Sequence, residues 1–371
     1  MTSSMKRIHI LQISDTLNAA GRQRLTVNLV NLIQNSRYRN DLCTTRGDGP
    51  LESQVRKDVG RLRLSRKHKF EFAALRRLVR YIRDNQVDIL HAHAESLFIA
   101  SLASLFPPYP RVIWHDNDGN HGQAQRSTWL YRLGVSRVNG VISATRELAE
   151  WSKNTLGIPE ECVWYVPNLV CFSEEQPPST GLPGEPGMRI VCVARIQPQK
   201  DHLTLVRAMA MVIKQFPNAH LLVVGKSGES SYHQGVLTEI KRLQVEDNVS
   251  LLGERQDIHG ILQSCDIGVL SSASEAFPLA LLEYGIVGLP VVATNVGQCA
   301  EVLDAGRVGG LVPPGSPEKL AEMLMKFLRS HETSVEMGRQ FNTRIKNLYS
   351  PESIQEKICE IYDTVLHPVK K

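Results

Sequence analysis

Short apolar runs alternate along the first half of the chain with longer stretches whose apolar residues recur at helical spacing. The runs predict strands, and the stretches predict the helices that connect them. The predicted strands cover residues 7–13, 41–45, 87–93, 111–119 with the exit loop, 140–145 and 163–168. Predicted helices begin near Arg22, Phe72 and Glu147. This alternation is typical of an open, mostly parallel α/β sheet.

The alternation restarts after residues 172–187, a stretch rich in Pro and Gly that predicts a linker. Further strands are predicted at residues 188–193, 219–225 and 267–270, and further helices at 203–216, 320–328 and 354–365. A chain of 371 residues is long for one hydrophobic core. The pattern therefore predicts two doubly wound α/β domains, residues 1–171 and 188–350, followed by a helical segment at 351–371.

The segment Ser274–Glu283 joins the predicted strand at residues 267–270 to an apolar helix. Pro278 suits the first position of that helix, because its missing N–H would have no partner there anyway. Glu275 then lies in the loop before the helix N-terminus, and Glu283 lies about one and a half turns into the helix. A helix N-terminus favours an anion that carries polar groups, such as a sugar phosphate. The alternative interpretation is that both glutamates are solvated charges.

This segment also carries a resemblance. Ser-Glu-Ala-Phe-Pro followed by Leu-Leu-Glu resembles the signature of the retaining glycosyltransferases of family four, the glycogen-synthase and sucrose-synthase-like group with the GT-B fold. Residues 288–297 and 310–315 are similar to the continuation of that signature, and the resemblance is strongest over about residues 188–320. It implies two Rossmann-like domains that face each other across a cleft. The first domain would bind the acceptor, the second the nucleotide sugar, and residues 351–371 would cross back to the first domain.

In the second domain, the resemblance implies roles for four charged side chains. Arg195 and Lys200 would bind the donor diphosphate, where two cations offset the negative charge that the leaving group gains in the transition state. Glu275 would bind hydroxyl groups of the donor sugar, and Glu283 would hold the ribose hydroxyls. The segment Phe277, Pro278 and Leu279 would also lie near the sugar and phosphate, through the backbone N–H groups that it offers.

In the first domain, the resemblance implies a loop that approaches the diphosphate and a histidine beside the sugar. The family usually has a glycine pair in that loop, whereas this chain has Ala20 and Gly21 and lacks the glutamate that often follows. His115 matches the strand-end histidine of the family. A neutral imidazole there could stabilise charge that develops at the anomeric carbon. A purely structural histidine is the alternative.

Two loops of the second domain are candidates for binding the nucleoside. Gly225 opens a small-residue loop that could admit a ribose or the edge of a base. Arg255 lies in a segment, residues 249–257, that resembles the family loop whose backbone reads the base. Backbone contacts carry little side-chain information, so the base stays open; a UDP-sugar is favoured and a GDP-sugar is the alternative.

No cofactor and no metal are expected, since the nucleotide sugar is a substrate. His91 and His93 have the spacing of two metal ligands, but the sequence gives no third ligand. Similar His-Ala-His text occurs in the family as strand-end structure. Asp116 and Asp118 resemble the metal-binding Asp-x-Asp of other glycosyltransferases. We interpret that match as accidental, because cations and amides meet the diphosphate in this fold.

Charge is distributed unevenly along the chain. Residues 1–180 contain 24 Lys and Arg against 17 Asp and Glu, whereas residues 181–371 contain 19 against 21. Much of the excess lies in residues 61–69 and in four arginines of the next predicted helix: Arg76, Arg77, Arg80 and Arg83. A solvated helix face is the plain interpretation. An anionic membrane surface is the better of the functional alternatives, because no nucleic-acid motif accompanies the run.

The seven cysteines are scattered and indicate free thiols in a reducing compartment. No secretory segment opens the sequence, and the longest apolar stretch is too short to span a bilayer. These features predict a cytoplasmic location, with peripheral contact at the inner face of the plasma membrane.

The sequence therefore predicts a retaining hexosyltransferase that moves a sugar to a saccharide or lipid-linked saccharide, in bacterial surface polysaccharide biosynthesis. One alternative is a GT-B-like nucleotide-sugar epimerase. The other is a non-catalytic partner subunit, which Ala20 and the missing glutamate after Gly21 favour. A nicotinamide-dependent dehydrogenase fits less well, because the fingerprint Gly-x-Gly-x-x-Gly is missing.

Overall fold

A computed structural model describes residues 7–18, 21–68, 71–117, 127–169, 177–228 and 230–368. The chain divides into two units by its internal contacts. The first unit comprises Met1–Leu169 and Pro351–Lys371, and the second comprises Val170–Ser350. Both units are built on parallel sheets, as the alternation of strands and helices predicts.

The first unit contains a seven-stranded parallel sheet. Its strands are β1 Ile8–Ser14, β2 Tyr38–Thr44, β3 Arg61–Arg63, β4 Ile89–His93, β5 Arg111–Asp116, β6 Gly140–Ser143 and β7 Val163–Tyr165. The helices described between them are α1 Gly21–Leu32, α2 Phe72–Asp84, α3 Leu97–Ala103, α4 Thr128–Val135 and α5 Arg146–Asn154, with short 3₁₀ helices at Pro50–Gln54, Ala94–Ser96 and Glu160–Cys162. The strand order β3-β2-β1-β4-β5-β6-β7 reverses between β1 and β4. Ligands of open α/β sheets bind at such a reversal, beyond the carboxyl ends of the strands.

The second unit contains a six-stranded parallel sheet. Its strands are β8 Arg189–Val193, β9 His220–Val224, β10 Val249–Gly253, β11 Ile267–Leu270, β12 Val291–Thr294 and β13 Gly310–Val312. Its helices are α6 His202–Ile213, α7 Ser230–Leu243, α8 Ile258–Gln263, α9 Leu279–Ile286, α10 Cys299–Val302, α11 Pro317–Arg329 and α12 His331–Tyr349, with 3₁₀ helices at Pro198–Lys200, Glu246–Asn248 and Asp304–Gly306. The order β10-β9-β8-β11-β12-β13 reverses between β8 and β11.

The last helix, α13 Pro351–Leu366, packs with the first unit. Gln12 of β1 donates a hydrogen bond from Nε2 to the hydroxyl of Tyr362 over 3.1 Å. Arg37 forms an ion pair with Asp363 at 2.6 Å. The end of the chain is therefore part of the same structural unit as its first strand.

Apolar side chains fill both faces of each sheet. In β8, Ile190 and Cys192 pack in one apolar cluster of the second unit, whereas Val191 between them packs in the other. Successive residues of a strand point to opposite faces, so a strand covered on both sides needs apolar residues throughout. This is why the strands appear in the sequence as continuous apolar runs.

Two predicted details are wrong. Pro278 is the N-cap of α9 with an extended backbone, φ −81° and ψ 93°, so the helix begins one residue later, at Leu279. The basic run at residues 61–69 does not begin on a helix face, because Arg61–Arg63 form the edge strand β3. Glu52 forms ion pairs with both Arg61 and Arg63, which offsets part of the excess charge. Among the described residues, no helix is both long and apolar enough to cross a membrane.

Asp41 is a buried carboxylate that joins three elements of the first unit. It accepts hydrogen bonds from His9 of β1 at 2.8 Å, from Tyr81 of α2 at 2.6 Å and from Arg39 of β2 at 2.9 Å. The backbone N–H of Gly60 donates to its other oxygen over 3.0 Å. Burial alone raises the pKa of Asp41, but the hydrogen bonds from His9 and Tyr81 and the charge of Arg39 outweigh it and hold the pKa well below its usual range.

Asp41→Asn is expected to destabilise the first unit by about 2 to 4 kcal/mol at pH 7, because it leaves buried donors without a charged acceptor. A folded-state pKa below the unfolded value stabilises the fold above the unfolded pKa and ceases to do so as the pH falls through the folded pKa. The difference between wild type and variant should therefore shrink below about pH 4. Urea unfolding at pH 7 and pH 3 measures it; an equal difference at both pH values would contradict this account.

Candidate active site

The carboxyl ends of β8 and β11 carry the residues that the sequence singles out in the second unit. Arg195 and Lys200 follow β8, and Glu275 follows β11. The two strands are neighbours at the point where the strand order reverses. Topology therefore brings together two loops that are 75 residues apart in the chain.

Glu275 and Lys200 are in direct contact. Lys200 Nζ lies 2.6 Å from Glu275 Oε1, and the hydroxyl of Ser272 donates to the same oxygen over 2.6 Å. The side chain of Glu275 is 6% exposed and that of Lys200 is 20% exposed. The hydrogen bonds among the described residues leave Glu275 Oε2 without a partner, so this oxygen can accept a hydrogen bond from a ligand.

Backbone and amide hydrogen bonds hold the two loops against each other. The N–H of Ala273 donates to the carbonyl of Gln199 over 2.9 Å, and the amide of Gln199 donates to the carbonyl of Ser274 over 3.1 Å. The hydroxyl of Ser271 donates to the carbonyl of Lys200 over 2.9 Å. The position of the Lys200–Glu275 pair is therefore fixed on both sides, which is the condition for a pre-organised polar site.

The loop with Lys200 passes directly into a helix. Asp201 has a left-handed backbone, φ 46°, and caps α6 by accepting hydrogen bonds from the N–H and the hydroxyl of Thr204. Asp is a favoured N-cap residue because its carboxylate satisfies a free N–H group of the first turn. This cap therefore fixes the backbone conformation directly after Lys200.

Two glycines allow the loops around this pair to pack closely. Gly225 has φ +156°, and a Cβ there would overlap the carbonyl oxygen of Ala194, next to Arg195. Gly297 has φ +50°, and a Cβ there would overlap the carbonyl oxygen of Glu275. Any other residue would be strained at these positions and would displace the loops that carry Arg195 and Glu275. The structure thus gives Gly225 a packing reason, whereas its predicted contact with the nucleoside stays a prediction.

The two arginines differ in their surroundings. The side chain of Arg195 is exposed at the strand edge and has no hydrogen-bond or ion-pair partner among the described residues. Arg255 is held by Asp257, with Nε at 2.8 Å and a terminal nitrogen at 2.6 Å from the two carboxylate oxygens. The hydroxyl of Ser179 also donates to Asp257. Arg195 is therefore available to an anion, whereas Arg255 is already neutralised by a neighbour.

Helix α9 begins at Leu279, shortly after Glu275 in the chain. The ring of Phe277 is buried against Tyr349 with ring centroids 6.0 Å apart, so its side chain belongs to the core. Pro278 has no N–H, and only the N–H groups of Phe277 and Leu279 are available from the predicted segment. Glu283 is half-buried on α9.

Sequence reasoning missed Tyr284, a buried residue of α9 whose hydroxyl holds the strands that carry the site. Its hydroxyl accepts a hydrogen bond from the N–H of Val193 over 2.8 Å and donates to the carbonyl of Val269 over 3.2 Å. Gly268 leaves room for the ring, because a Cβ there would lie 2.8 Å from it. One side chain of α9 therefore ties the ends of β8 and β11 together. A single tyrosine in an apolar helix gives no signal of such a role in the sequence.

The first unit places His115 in a cluster with two other buried histidines. His91 Nε2 lies 3.1 Å from His115 Nδ1, and the rings of His93 and His115 stack with centroids 5.3 Å apart. Sequence reasoning found His91 and His93 without a third partner, and the structure supplies His115 as that partner. The feature that identifies this third partner is the parallel pairing of β4 with β5, in which His93 is the register partner of His115.

The remaining predicted residues of the first unit are described only in part. Gly21 is the first residue of α1, and Ala20 lies outside the described residues. Asp118 lies outside them as well, so the interpretation of the Asp-x-Asp match stays a prediction. Asp116 is fully buried at the end of β5.

Comparison with known proteins links both halves of the chain to glycosyltransferases. Residues 20–173 match the family described as Glycosyltransferase Family 4, and residues 173–344 match the family described as Glycosyl transferases group 1. N-acetyl-alpha-D-glucosaminyl L-malate synthase of Bacillus anthracis is 28% identical over 181 residues, 49% of this chain and 46% of that protein. D-inositol 3-phosphate glycosyltransferase of Segniliparus rotundus is 33% identical over 159 residues, 42% of this chain and 35% of that protein. The matches span less than half the length of these relatives.

Solved structures share the fold over nearly the whole chain. Anabaena HepE in complex with UDP superposes with a TM-score of 0.81, at 18% identity, covering 97% of this chain and 100% of that chain. Sucrose-phosphate synthase from Thermosynechococcus elongatus gives a TM-score of 0.75, at 19% identity, covering 97% and 99%. The chain therefore carries the two α/β domains of GT-B glycosyltransferases, a family 4 domain followed by a group 1 domain.

Proposed function

We propose that the protein is a retaining glycosyltransferase that transfers a sugar from a nucleoside diphosphate sugar to an acceptor hydroxyl. The observation that carries this proposal is the buried contact of Lys200 with Glu275 at the edge of the second sheet, in front of α9. We assign the donor to the second unit and the acceptor to the first.

The pair suits a ligand that has both hydroxyl groups and an anion. Lys200 holds Glu275 through one oxygen, so the other oxygen can accept a hydrogen bond from a sugar hydroxyl. An ammonium group has three N–H bonds, so Lys200 retains donors for a phosphate. The exposed guanidinium of Arg195 offers a second cation.

In this mechanism the cations do the largest part of the work. Cleavage of the bond between the sugar and the diphosphate leaves negative charge on the phosphate oxygens, which Arg195 and Lys200 stabilise as it develops. Glu275 orients the sugar through its hydroxyl groups, and its contact with Lys200 holds the carboxylate in place. No second carboxylate is placed as a nucleophile in the proposal; the acceptor attacks from the face that the leaving phosphate occupies, and a phosphate oxygen takes the acceptor proton. The sugar therefore keeps its anomeric configuration.

A UDP-sugar is our favoured donor. HepE of Anabaena was solved with UDP and with UDP-glucose, which supports this choice. One relative from Corynebacterium glutamicum is described as GDP-mannose-dependent, so a GDP-sugar is the alternative that the binding experiment must separate.

For the acceptor, we propose a saccharide or lipid-linked saccharide in bacterial surface polysaccharide biosynthesis. One supporting observation is an exposed face of the first unit that combines apolar and basic side chains. Phe72 of α2 is 85% exposed, and Trp129 and Leu133 of α4 are 71% and 65% exposed. Helix α3 packs between these two helices and exposes Leu102. The arginines of α2 lie exposed beside Phe72, and aromatic residues flanked by arginines suit the surface of an anionic membrane.

Nucleotide binding should depend on Arg195. UDP is expected to raise the melting temperature of the wild type more than GDP or ADP, since a ligand of the folded state stabilises it by mass action. Arg195→Ala should weaken UDP binding by about 10- to 100-fold, because a charge-assisted hydrogen bond to phosphate is lost. Calorimetric titration measures the loss, and Arg339→Ala on α12 is the matched control. Undiminished UDP binding by Arg195→Ala would refute the assignment of this arginine.

Sugar transfer should depend on Glu275. Glu275→Gln keeps the shape of the side chain but removes the charge, and we expect turnover to fall by about 100-fold or more. Glu318→Gln, an exposed change on α11, should leave turnover unchanged. Transfer is measured with the donor that the binding screen selects and a panel of saccharide acceptors, and NMR of the anomeric proton gives the configuration of the product. Normal turnover of Glu275→Gln, with circular dichroism confirming its fold, would remove the central role of this residue.

The same assay separates the alternatives. An epimerase would release free sugar or an epimer without any acceptor, and a non-catalytic subunit would show neither transfer nor hydrolysis of the donor. A product with inverted anomeric configuration would refute the retaining mechanism but would leave the proposed binding of the donor unaffected.

Membrane contact should depend on the arginines of α2. Changing Arg76 and Arg80 together to Glu is expected to reduce binding to vesicles with phosphatidylglycerol by at least about 10-fold, since each basic residue near such a surface contributes about 1 kcal/mol. The matched control changes Arg339 and Lys346 of α12 to Glu. Vesicle co-sedimentation measures the bound fraction, with phosphatidylcholine vesicles as the uncharged reference. Equal binding of both double variants and the wild type would contradict the proposed contact.

A further inference from the structure

Three buried histidines lie together on one face of the first sheet. His91 and His93 are two residues apart in β4, so both point to the same face. His115 of β5 is the register partner of His93. All three side chains are buried, with 0%, 4% and 2% of their surface exposed. Two histidines at spacing two on one strand and a third on the adjacent strand thus place three imidazole rings in one buried cluster.

In two of the rings, the nitrogen that points away from the other histidines is held by a neighbouring polar group. His93 Nε2 lies 2.8 Å from Gln12 Oε1, and His91 Nδ1 lies 2.7 Å from the hydroxyl of Tyr362. The amide nitrogen of Gln12 donates to that hydroxyl, which identifies Gln12 Oε1 as the acceptor for His93. His93 therefore carries its proton on Nε2, and its Nδ1 has a free lone pair. Metal-binding histidines characteristically have their second nitrogen fixed in this way.

The nitrogens that lie nearest the other histidines are close enough to one another to bind the same ion. His91 Nε2 and His115 Nδ1 are 3.1 Å apart, near the roughly 3.3 Å between two nitrogens that each bind a tetrahedral zinc ion at 2.0–2.1 Å. One ring nitrogen from each of the three histidines lies within 4.8 Å of the other two. The rings of His91 and His93 are stacked, with centroids 4.7 Å apart and an interplanar angle of 8°, so binding one ion requires a ring to turn until the ring planes converge. His93 Nδ1 has no hydrogen-bond partner, although it is fully buried.

The protonation states agree with a ligand role. Burial, reinforced by the neighbouring histidines, lowers the pKa of His91 and His115 well below the ordinary value, and burial lowers the pKa of His93 to about 3. The rings are therefore neutral at physiological pH, and the neutral imidazole is the form that binds a metal.

We propose that His91, His93 and His115 bind one divalent transition-metal ion, with Zn²⁺ as the best match to three imidazole nitrogens. The ligand atoms are His91 Nε2, His93 Nδ1 and His115 Nδ1, and a fourth position stays open to water. Imidazole ligands favour zinc, copper or nickel, and disfavour Mg²⁺ and Ca²⁺, which prefer oxygen. All three proposed ligands belong to the first unit, and the test of this site does not depend on the proposed transfer reaction.

Binding has a structural consequence for α13. His91 Nδ1 must carry the proton when Nε2 binds the ion, so it donates to the hydroxyl of Tyr362. The metal would thereby fix the tautomer that links β4 to α13. His115 keeps its proton on Nε2, which has no partner among the described residues and stays available as a donor.

Metal titration of the full chain tests the proposal. The protein is produced without an affinity tag, treated with a chelator and titrated with Zn²⁺ in competition with a chromogenic chelator. We expect one ion per chain, with a dissociation constant on the order of micromolar or tighter, and a higher melting temperature with zinc. Co²⁺ in place of zinc should give the visible absorption of a tetrahedral site.

The variants localise the ion. His93→Gln and His115→Gln should each weaken zinc binding by at least about 100-fold, and Tyr362→Phe by about 10-fold, the usual effect of losing a group that orients a ligand. His220→Gln, a buried histidine of the second unit, should leave binding unchanged. No stoichiometric binding and no shift in the melting temperature of the wild type would overturn the proposal even if a variant failed to fold. Equal zinc binding by the wild type and a folded His93→Gln would overturn it as well.

Discussion

The contact between Lys200 and Glu275 depends on the order of the strands in the second sheet. A carboxylate this buried is costly unless a cation and hydrogen bonds compensate it. The cation comes from the loop after β8 and the carboxylate from the loop after β11, and these loops meet because the two strands are neighbours at the reversal. Removing one partner from a buried ion pair typically costs about 3 to 5 kcal/mol, so each loop stabilises the other. The same geometry leaves one carboxylate oxygen free for a ligand.

The fold itself could be predicted from apolar patterning, because strands covered on both faces must be apolar throughout. The edge strand β3 escaped prediction since Arg61 and Arg63 are charged and no residue of the strand is fully buried, as is common on strands that have only one neighbour. Predicted element boundaries also differ from those of the structure by a residue or two. Pro278 is an example, because its extended ψ angle excludes it from the first helical position.

Charge next to a helix start pointed to Glu275, whereas the resemblance to family four pointed to Arg195 and Lys200, and their roles stay predictions. Ser272 and Gln199 hold Glu275 and its loop through hydrogen bonds that common loop residues can make, so nothing in the sequence distinguishes them. Arg255 pairs with Asp257, two positions away, a contact that the loop sequence did not indicate; its predicted contact with the nucleoside stays a prediction. The sequence also could not link Asp41 to His9 and Tyr81, because those contacts depend on the register of β1 with β2 and on the packing of α2.

Each unit has a buried polar centre at the reversal of its strand order, and the two centres differ in charge. In the second unit, a lysine pairs with a glutamate, and the free carboxylate oxygen and the remaining N–H bonds favour hydroxyl groups and anions. In the first unit, Gln12 of β1 and His91 of β4 face each other across the reversal, and burial keeps the imidazoles neutral. The lone pairs of such neutral imidazoles can bind a cation, as we propose for the three histidines. The two proposed sites thus differ in chemical preference although the strand order reverses in both sheets, because the side chains near the reversal, and not the strand order, decide which charge a site can hold.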